Sequence, residues 1–222
     1  MLSQTDADSL LSRFPLRRTG APPTRAAGFM LMLHGRGASA ESILELAEAF
    51  AQPDLCFLAP QAPGSSWYPY PFTAPLAANE PHLSRALALT AGVLAALEQG
   101  GVAAARIGIC GFSQGACLAL ETAIRQPRAY GAVFGFSGGY IGPPGEPRLP
   151  VPGTETALAG ASVLIGCSDV DSHIPLVRVQ ETTALMRAMG AAVDERIYPG
   201  FGHGINADEL GAARARLQAI QV

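Results

Sequence analysis

Five runs of almost uninterrupted apolar residues divide this chain: 28–33, 55–59, 107–110, 132–136 and 163–166. Each is four to six residues long and closes on glycine, proline or a small polar turn. Runs of this kind predict strands buried on both faces, because a strand with one wet face would alternate instead. A sixth stretch, 193–198, reads as a last strand. Between the runs the apolar spacing changes to three and four. Ile43, Leu46, Ala47 and Phe50 share a face of a helix capped by Ser39 or Ser42. Residues 82–98 give a second helix, stopped by Gly100 and Gly101. Cys117, Leu120 and Ile124 mark a third. Residues 175–189 form a fourth, with Pro175 at its first turn, and 206–220 a closing one.

Strands alternating with helices predict an α/β fold, a mostly parallel central sheet with helices on both faces. The whole chain, 1–222, reads as one domain. Residues 1–28 are polar and proline-bearing, an N-terminal extension or edge strand with at most one short strand at about 10–17. Residues 140–158 hold five prolines and form an irregular excursion. In such sheets ligands bind beyond the carboxyl ends of the strands. His34, Ser113, Asp169, Asp171 and His203 all follow strand runs, so the topology gathers them along one edge.

The stretch 107–117 carries the sharpest signal. An apolar run leads into Gly111-Phe112-Ser113-Gln114-Gly115, and a helical pattern follows. Strand, tight turn and helix are the context in which G-x-S-x-G raises a serine above a sheet as a nucleophile. Glycines at both ends let strand and helix pass closely. Serine needs a base to take its proton. Of four histidines, His203 stands in the glycine-flanked turn after the last strand, and the order Ser, Asp, His matches that of hydrolases with this turn. His34 is expected to brace its loop, His82 to begin a helix, and His173 to face substrate from the acidic turn.

Composition narrows the rest. The net charge is −3 and all fifteen basic residues are arginine. Absence of lysine excludes Schiff-base chemistry and a Walker-type phosphate loop. No basic patch offers itself to nucleic acid. Cys56, Cys110, Cys117 and Cys167 show no C-x-x-C spacing and read as buried thiols in a reducing compartment. No run reaches membrane-spanning length. The expectation is a soluble cytoplasmic protein without stable membrane insertion.

The combination Leu33-His34-Gly35-Arg36-Gly37, Ala59-Pro60-Gln61-Ala62-Pro63, Gly111 to Gly115, Ser137-Gly138-Gly139, Asp169 to Pro175 and Gly202-His203 resembles the phospholipase/carboxylesterase family of α/β-hydrolases, relatives of the acyl-protein thioesterases. The resemblance runs from about residue 28 to the C-terminus. It implies a serine carboxylesterase with Ser113 as nucleophile, His203 as base and an aspartate as orienting acid. In the family pattern G-D-x-D-x-x-V-P the acid lies four residues before the proline, which selects Asp171. Counting three residues on from Gly166 selects Asp169, and Ser168 stands where the family has glycine. The resemblance also implies an oxyanion hole from the backbone N–H groups of Arg36 and Gln114. It implies no metal or organic cofactor.

The aromatic segment 61–81 and the excursion after Gly139 both start at the active edge. Trp67, Tyr70, Ile141 and His173 are therefore the expected substrate contacts, with the Arg36 guanidinium at the rim. The partner is a small-molecule ester of short to medium acyl or aryl type. A thioesterase or lysophospholipase would use the same site with another acyl pocket, and a non-catalytic module would typically have lost one of the three residues. A homodimer is left open.

Overall fold

The computed structural model describes residues 1–145 and 147–221; Glu146, inside the 140–158 excursion, and Val222 lie outside the described residues. The elements in chain order are α1 (Gln4–Arg13), β1 (Leu16–Gly20), β2 (Gly28–Leu33), α2 (Ala40–Leu44), α3 (Leu46–Phe50) and β3 (Leu55–Pro60). Then come α4 (His82–Gln99), β4 (Ile107–Phe112), α5 (Gln114–Arg125), β5 (Ala132–Phe136), β6 (Ser162–Ser168), α6 (Leu176–Ala188), β7 (Ala192–Tyr198) and α7 (Ala207–Leu217).

The strands form one seven-stranded sheet in the order β1-β3-β2-β4-β5-β6-β7. β1 pairs antiparallel with β3, and every other pairing is parallel. The five central strands, β2 to β6, are buried on both faces, and the alternation within β2 shows how. Phe29, Leu31 and Leu33 join a core with residues of α1, α4, α5 and α6. Met30 and Met32 point the other way, into a core with α2, α3 and α7. A strand sandwiched between two such layers has no polar face to show, hence its unbroken apolar run.

Two elements differ from the sequence reading. A helix, α1, occupies Gln4–Arg13 of the N-terminal segment, which was expected to hold at most one short strand. Ser3 caps it by accepting from the Asp6 N–H, and Ala7 and Leu10 bury one side. The strand β1 follows it and forms the antiparallel edge of the sheet. The helix expected up to Phe50 is divided at Glu45 into α2 and α3.

The excursion after β5 is irregular among the described residues and is held by buried charge. The Arg178 guanidinium donates to the carbonyls of Tyr140, Gly142 and Pro143 and pairs with Glu181. It lies over the Tyr140 ring, 4.2 Å from the centroid. Glu121 of α5 is fully buried, binds Arg125 and Arg148, and accepts the Ile141 N–H. A buried charge persists only when paired and hydrogen-bonded, and both are.

α7 begins with a reciprocal cap. The Asn206 side chain accepts the Glu209 N–H, and the Glu209 carboxyl accepts the Asn206 N–H. The second oxygen of Glu209 is buried with no hydrogen-bond partner among the described residues, in space left by the absent side chain of Gly166. Burial pushes the Glu209 pKa up to about 7, against 4.5 for an ordinary glutamate. A carboxyl whose folded pKa is raised adds stability in its neutral form. That stability is whole below about pH 4.5 and is lost as pH rises through about 7. Thermal unfolding followed across this window should show the midpoint falling with pH, and Glu209→Gln should flatten the fall. An unchanged slope in the variant would refute a buried neutral Glu209.

Candidate active site

Three turns at the carboxyl ends of the strands bring the site together. The first is the turn between β4 and α5. Ser113 adopts φ 54° and ψ −119°, a left-handed conformation that costs a residue with a Cβ about 1–3 kcal/mol. Its surroundings leave no alternative. A Cβ on Gly111 would collide with the backbone of Gly115, and one on Gly115 with the carbonyl of Leu33. The two glycines let α5 begin directly against β2 and β4. The Ser113 N–H donates to the Phe136 carbonyl at 3.0 Å, which fixes the turn to β5.

The second and third turns follow β6 and β7. His203 Nε2 lies 2.9 Å from Ser113 Oγ, and His203 Nδ1 lies 2.7 Å from Asp171 Oδ2. The other oxygen of Asp171 accepts the N–H groups of His173 and Ile174 at 2.8 and 3.0 Å. Burial raises the Asp171 pKa, but the bonds from His203, His173 and Ile174 outweigh it, and the net shift is downward. A carboxylate at that position accepts from Nδ1–H, so Nε2 presents its lone pair to the serine hydroxyl. Such a chain can move a proton from Ser113 to His203 while Asp171 stabilises the resulting imidazolium.

Asp169 has another task. Its Oδ1 accepts the Gly200 N–H at 2.8 Å, and Ser168 Oγ accepts the N–H groups of Val170 and Gly202. Both residues tie the acidic turn to the turn carrying His203. Gly200 and Gly202 have φ of 69° and 86°, which suits glycine at those bends. Ser168, the departure from the family pattern, thus supplies a hydroxyl that stitches the two turns together.

A cavity of about 650 Å³ opens over Ser113 and His203. Its walls include Gly35, Arg36, Tyr68, Pro69, Pro71, Phe72, Phe112, Gln114, Cys117, His173 and Ile174. Gln114 opens α5, so its N–H has no acceptor within the helix. That N–H and the loop bearing Arg36 stand beside Ser113, where backbone donors can meet an oxyanion. His173 lines the cavity as expected of a substrate-facing residue, its ring edge-on to that of His203 at 4.8 Å. Cys117 also lines it, but burial raises its pKa to about 12, so the thiol stays protonated and does not compete as a nucleophile.

Three expected contacts stand apart from this lining. Trp67 is buried, stacked near His34, and donates its indole N–H to the His34 carbonyl. Tyr70 is 55% exposed on the outside of its loop. Ile141 is buried in the core and bound through its N–H to Glu121. Their neighbours Tyr68 and Phe72 take the wall instead. The segment 61–81 was legible as site-forming, but within it adjacent residues face opposite ways, and composition does not say which.

The side chains of the two expected oxyanion donors hold that same loop. Gln114 Oε1 accepts the Trp67 N–H at 2.9 Å, and Nε2 donates to the Tyr68 carbonyl at 2.8 Å. The Arg36 guanidinium donates to Ser66 Oγ and to the carbonyls of Pro69 and Tyr70 at 2.9–3.0 Å. His34 braces its loop, accepting the Ala62 N–H at Nε2, which leaves Nδ1–H for the Gly35 carbonyl. Burial lowers its pKa, consistent with this neutral ring. His82 starts α4, away from the cavity lining.

Fold and site together define an α/β-hydrolase. The family model described as Phospholipase/Carboxylesterase matches residues 17–221, and the chain belongs to that family. A crystal structure of a phospholipase/carboxylesterase from Dyadobacter fermentans is 38% identical, covering 92% of this chain and 96% of its own, with a TM-score of 0.85. The crystal structure of esterase PE8 is 27% identical, covering 92% and 97%, with a TM-score of 0.73. An Arabidopsis thaliana protein named "Probable carboxylesterase SOBER1-like" is 28% identical over 82% of this chain and 74% of its own length.

The geometry separates the two aspartates. Asp171→Asn should cut kcat for ester hydrolysis by roughly 10⁴-fold, because the amide favours the wrong imidazole tautomer. Asp169→Asn should cost about tenfold or less, as the loss of one loop hydrogen bond. Steady-state kinetics of both variants with one chromogenic ester checks this, and the reverse ranking would refute it.

Proposed function

We propose that this carboxylic ester hydrolase is a serine carboxylesterase of short to medium acyl and aryl esters, acting through Ser113, His203 and Asp171. Ser113 Oγ attacks the ester carbonyl as His203 Nε2 takes its proton. The backbone N–H groups of Gln114 and Arg36 hold the tetrahedral oxyanion. The oxyanion collapses, the acyl C–O bond breaks, and His203 returns the proton to the departing alcohol. Water, deprotonated by His203, then attacks the acyl-enzyme and releases the acid and Ser113. Asp171 orients the imidazole throughout and remains a carboxylate.

The observation that carries this reading is the unbroken chain from Ser113 through His203 to Asp171, at 2.9 and 2.7 Å, beneath an open cavity. The substrate range follows from the walls. Tyr68, Pro69, Pro71, Phe72, Phe112 and Ile174 line a compact, open and mainly apolar pocket, as small-molecule sites usually are. Among the described residues no helix is long and apolar enough to cross a membrane. The four cysteines are buried and unpaired, which fits a reducing cytoplasm.

Ser113→Ala should fold normally, because alanine keeps the Cβ and with it the same turn, and lose activity by on the order of 10⁴-fold or more. Activity within about tenfold of the unsubstituted enzyme would overturn the nucleophile. Across p-nitrophenyl esters of increasing length, kcat/KM should peak at short to medium chains. A continued rise to palmitate would favour the thioesterase or lysophospholipase reading of the same site.

A further inference from the structure

One permanently charged side chain, Arg36, lines the cavity. The chain is acidic overall, with a net charge of −3. Yet among the described residues the lining of the cavity includes Arg36 and no aspartate or glutamate. The carboxylates on neighbouring elements are turned to other partners. Asp171 receives His203, Asp169 receives the Gly200 N–H, Glu41 pairs with Arg17, and Glu181 pairs with Arg178. The Arg36 guanidinium is held by three oxygens, all of them neutral. Among the described residues no carboxylate forms an ion pair with it. It is exposed, so its charge is uncompensated within the wall. Because three hydrogen bonds fix the planar group, little side-chain entropy remains to be lost when an anion docks.

The topology says which half of an ester meets this charge. β2 lies on one side of β4 in the sheet, and β5 and β6 lie on the other. The loop bearing Arg36 follows β2 and stands on the first side, where Gly35 lies against Ser113. His173 and the proton donor His203 reach it from the second. The departing alcohol must lie by His203, so the acyl half extends towards Arg36 and the wall of Tyr68 to Phe72. We propose that the preferred substrate carries a carboxylate on its acyl half: a half-ester of a short dicarboxylic acid, whose free carboxylate pairs with the Arg36 guanidinium. This rests on the serine-esterase reading above. Carboxylate is favoured because Nη1 gives both hydrogens and Nη2 one to the loop, which leaves Nε–H and the second Nη2 hydrogen as a planar pair of donors on a positive charge, a match for one carboxylate. The reaction adds water across the acyl C–O bond and yields the dicarboxylate and the alcohol, with no further reactant.

The test compares monoethyl adipate with ethyl hexanoate by pH-stat titration, with p-nitrophenyl acetate as a control for the basic reaction. The enzyme should prefer the half-ester by about tenfold in kcat/KM. Salt at about 0.5 M should shrink that preference, since the charge is exposed. Arg36→Met should abolish the preference, and Arg36→Lys should keep part of it. The ratio between the two esters is the readout, because Arg36 also holds the loop and either variant lowers both rates. Equal or better hydrolysis of ethyl hexanoate by the unsubstituted enzyme would overturn the proposal while leaving the esterase reading intact. So would an unchanged ratio in Arg36→Met. Inactivity towards all three esters would overturn both.

Discussion

The close passage of β2, β4 and α5 at Ser113 is the constraint on which the rest of the site depends. Neither Gly111 nor Gly115 has room for a single additional carbon, because each faces backbone. That contact forces the chain to reverse within one residue, and the reversal places Ser113 at positive φ with its hydroxyl above the sheet edge. The strain is local and is balanced by the packing around it. α5 is buried along most of its length, and Ser113 is bonded into the adjoining strand through Phe136. The same geometry leaves the first N–H of α5 without a helical acceptor beside the nucleophile. One steric fact thus sets both the proposed nucleophile and one proposed oxyanion donor.

The remaining parts arrive from distant turns, and polar side chains hold these in register. Ser168 and Asp169 bind the turn after β7 to the turn after β6. Ser137 adds a bond to the Gly204 carbonyl at 3.3 Å. Gln114 and Arg36 fix the loop that walls the cavity, and Arg178 and Glu121 fix the excursion beside it. These groups position loops whose backbones would otherwise lack regular partners. Hydrogen bonds to charged groups are worth about 1.5–3 kcal/mol each, enough to hold a short turn against its own entropy. His203 can therefore sit within 2.9 Å of Ser113 although 90 residues separate them.

The sheet was readable because its central strands, β2 to β6, are buried on both faces. The run at β2 predicted residues 28–33, and the strand occupies those same residues. The fold class followed from alternation of runs and helices. α1 was missed because its apolar face is only Ala7 and Leu10, too thin a stripe among polar residues to stand out. The break at Glu45 was missed because Ile43, Leu46, Ala47 and Phe50 keep helical spacing across it. At the site, residues required by backbone geometry or chain order were legible: the glycines of the turn, Ser113 and the histidine after the last strand. What depends on side-chain direction was not. Tyr68 and Trp67 are adjacent and aromatic, yet Tyr68, whose carbonyl accepts from Gln114, lines the cavity, while Trp67 turns away and donates its indole N–H to the His34 carbonyl.

The central claim is that Ser113 is the activated nucleophile of an acyl-transfer enzyme. A fluorophosphonate probe tests it directly, because only a serine deprotonated by a neighbouring base reacts rapidly with it. The protein should take up one equivalent, lose its ester hydrolysis in step, and yield by mass spectrometry a single phosphonylated peptide modified at Ser113. Hydrolysis that continues with Ser113 unlabelled, or a label that maps to another residue, would contradict the account.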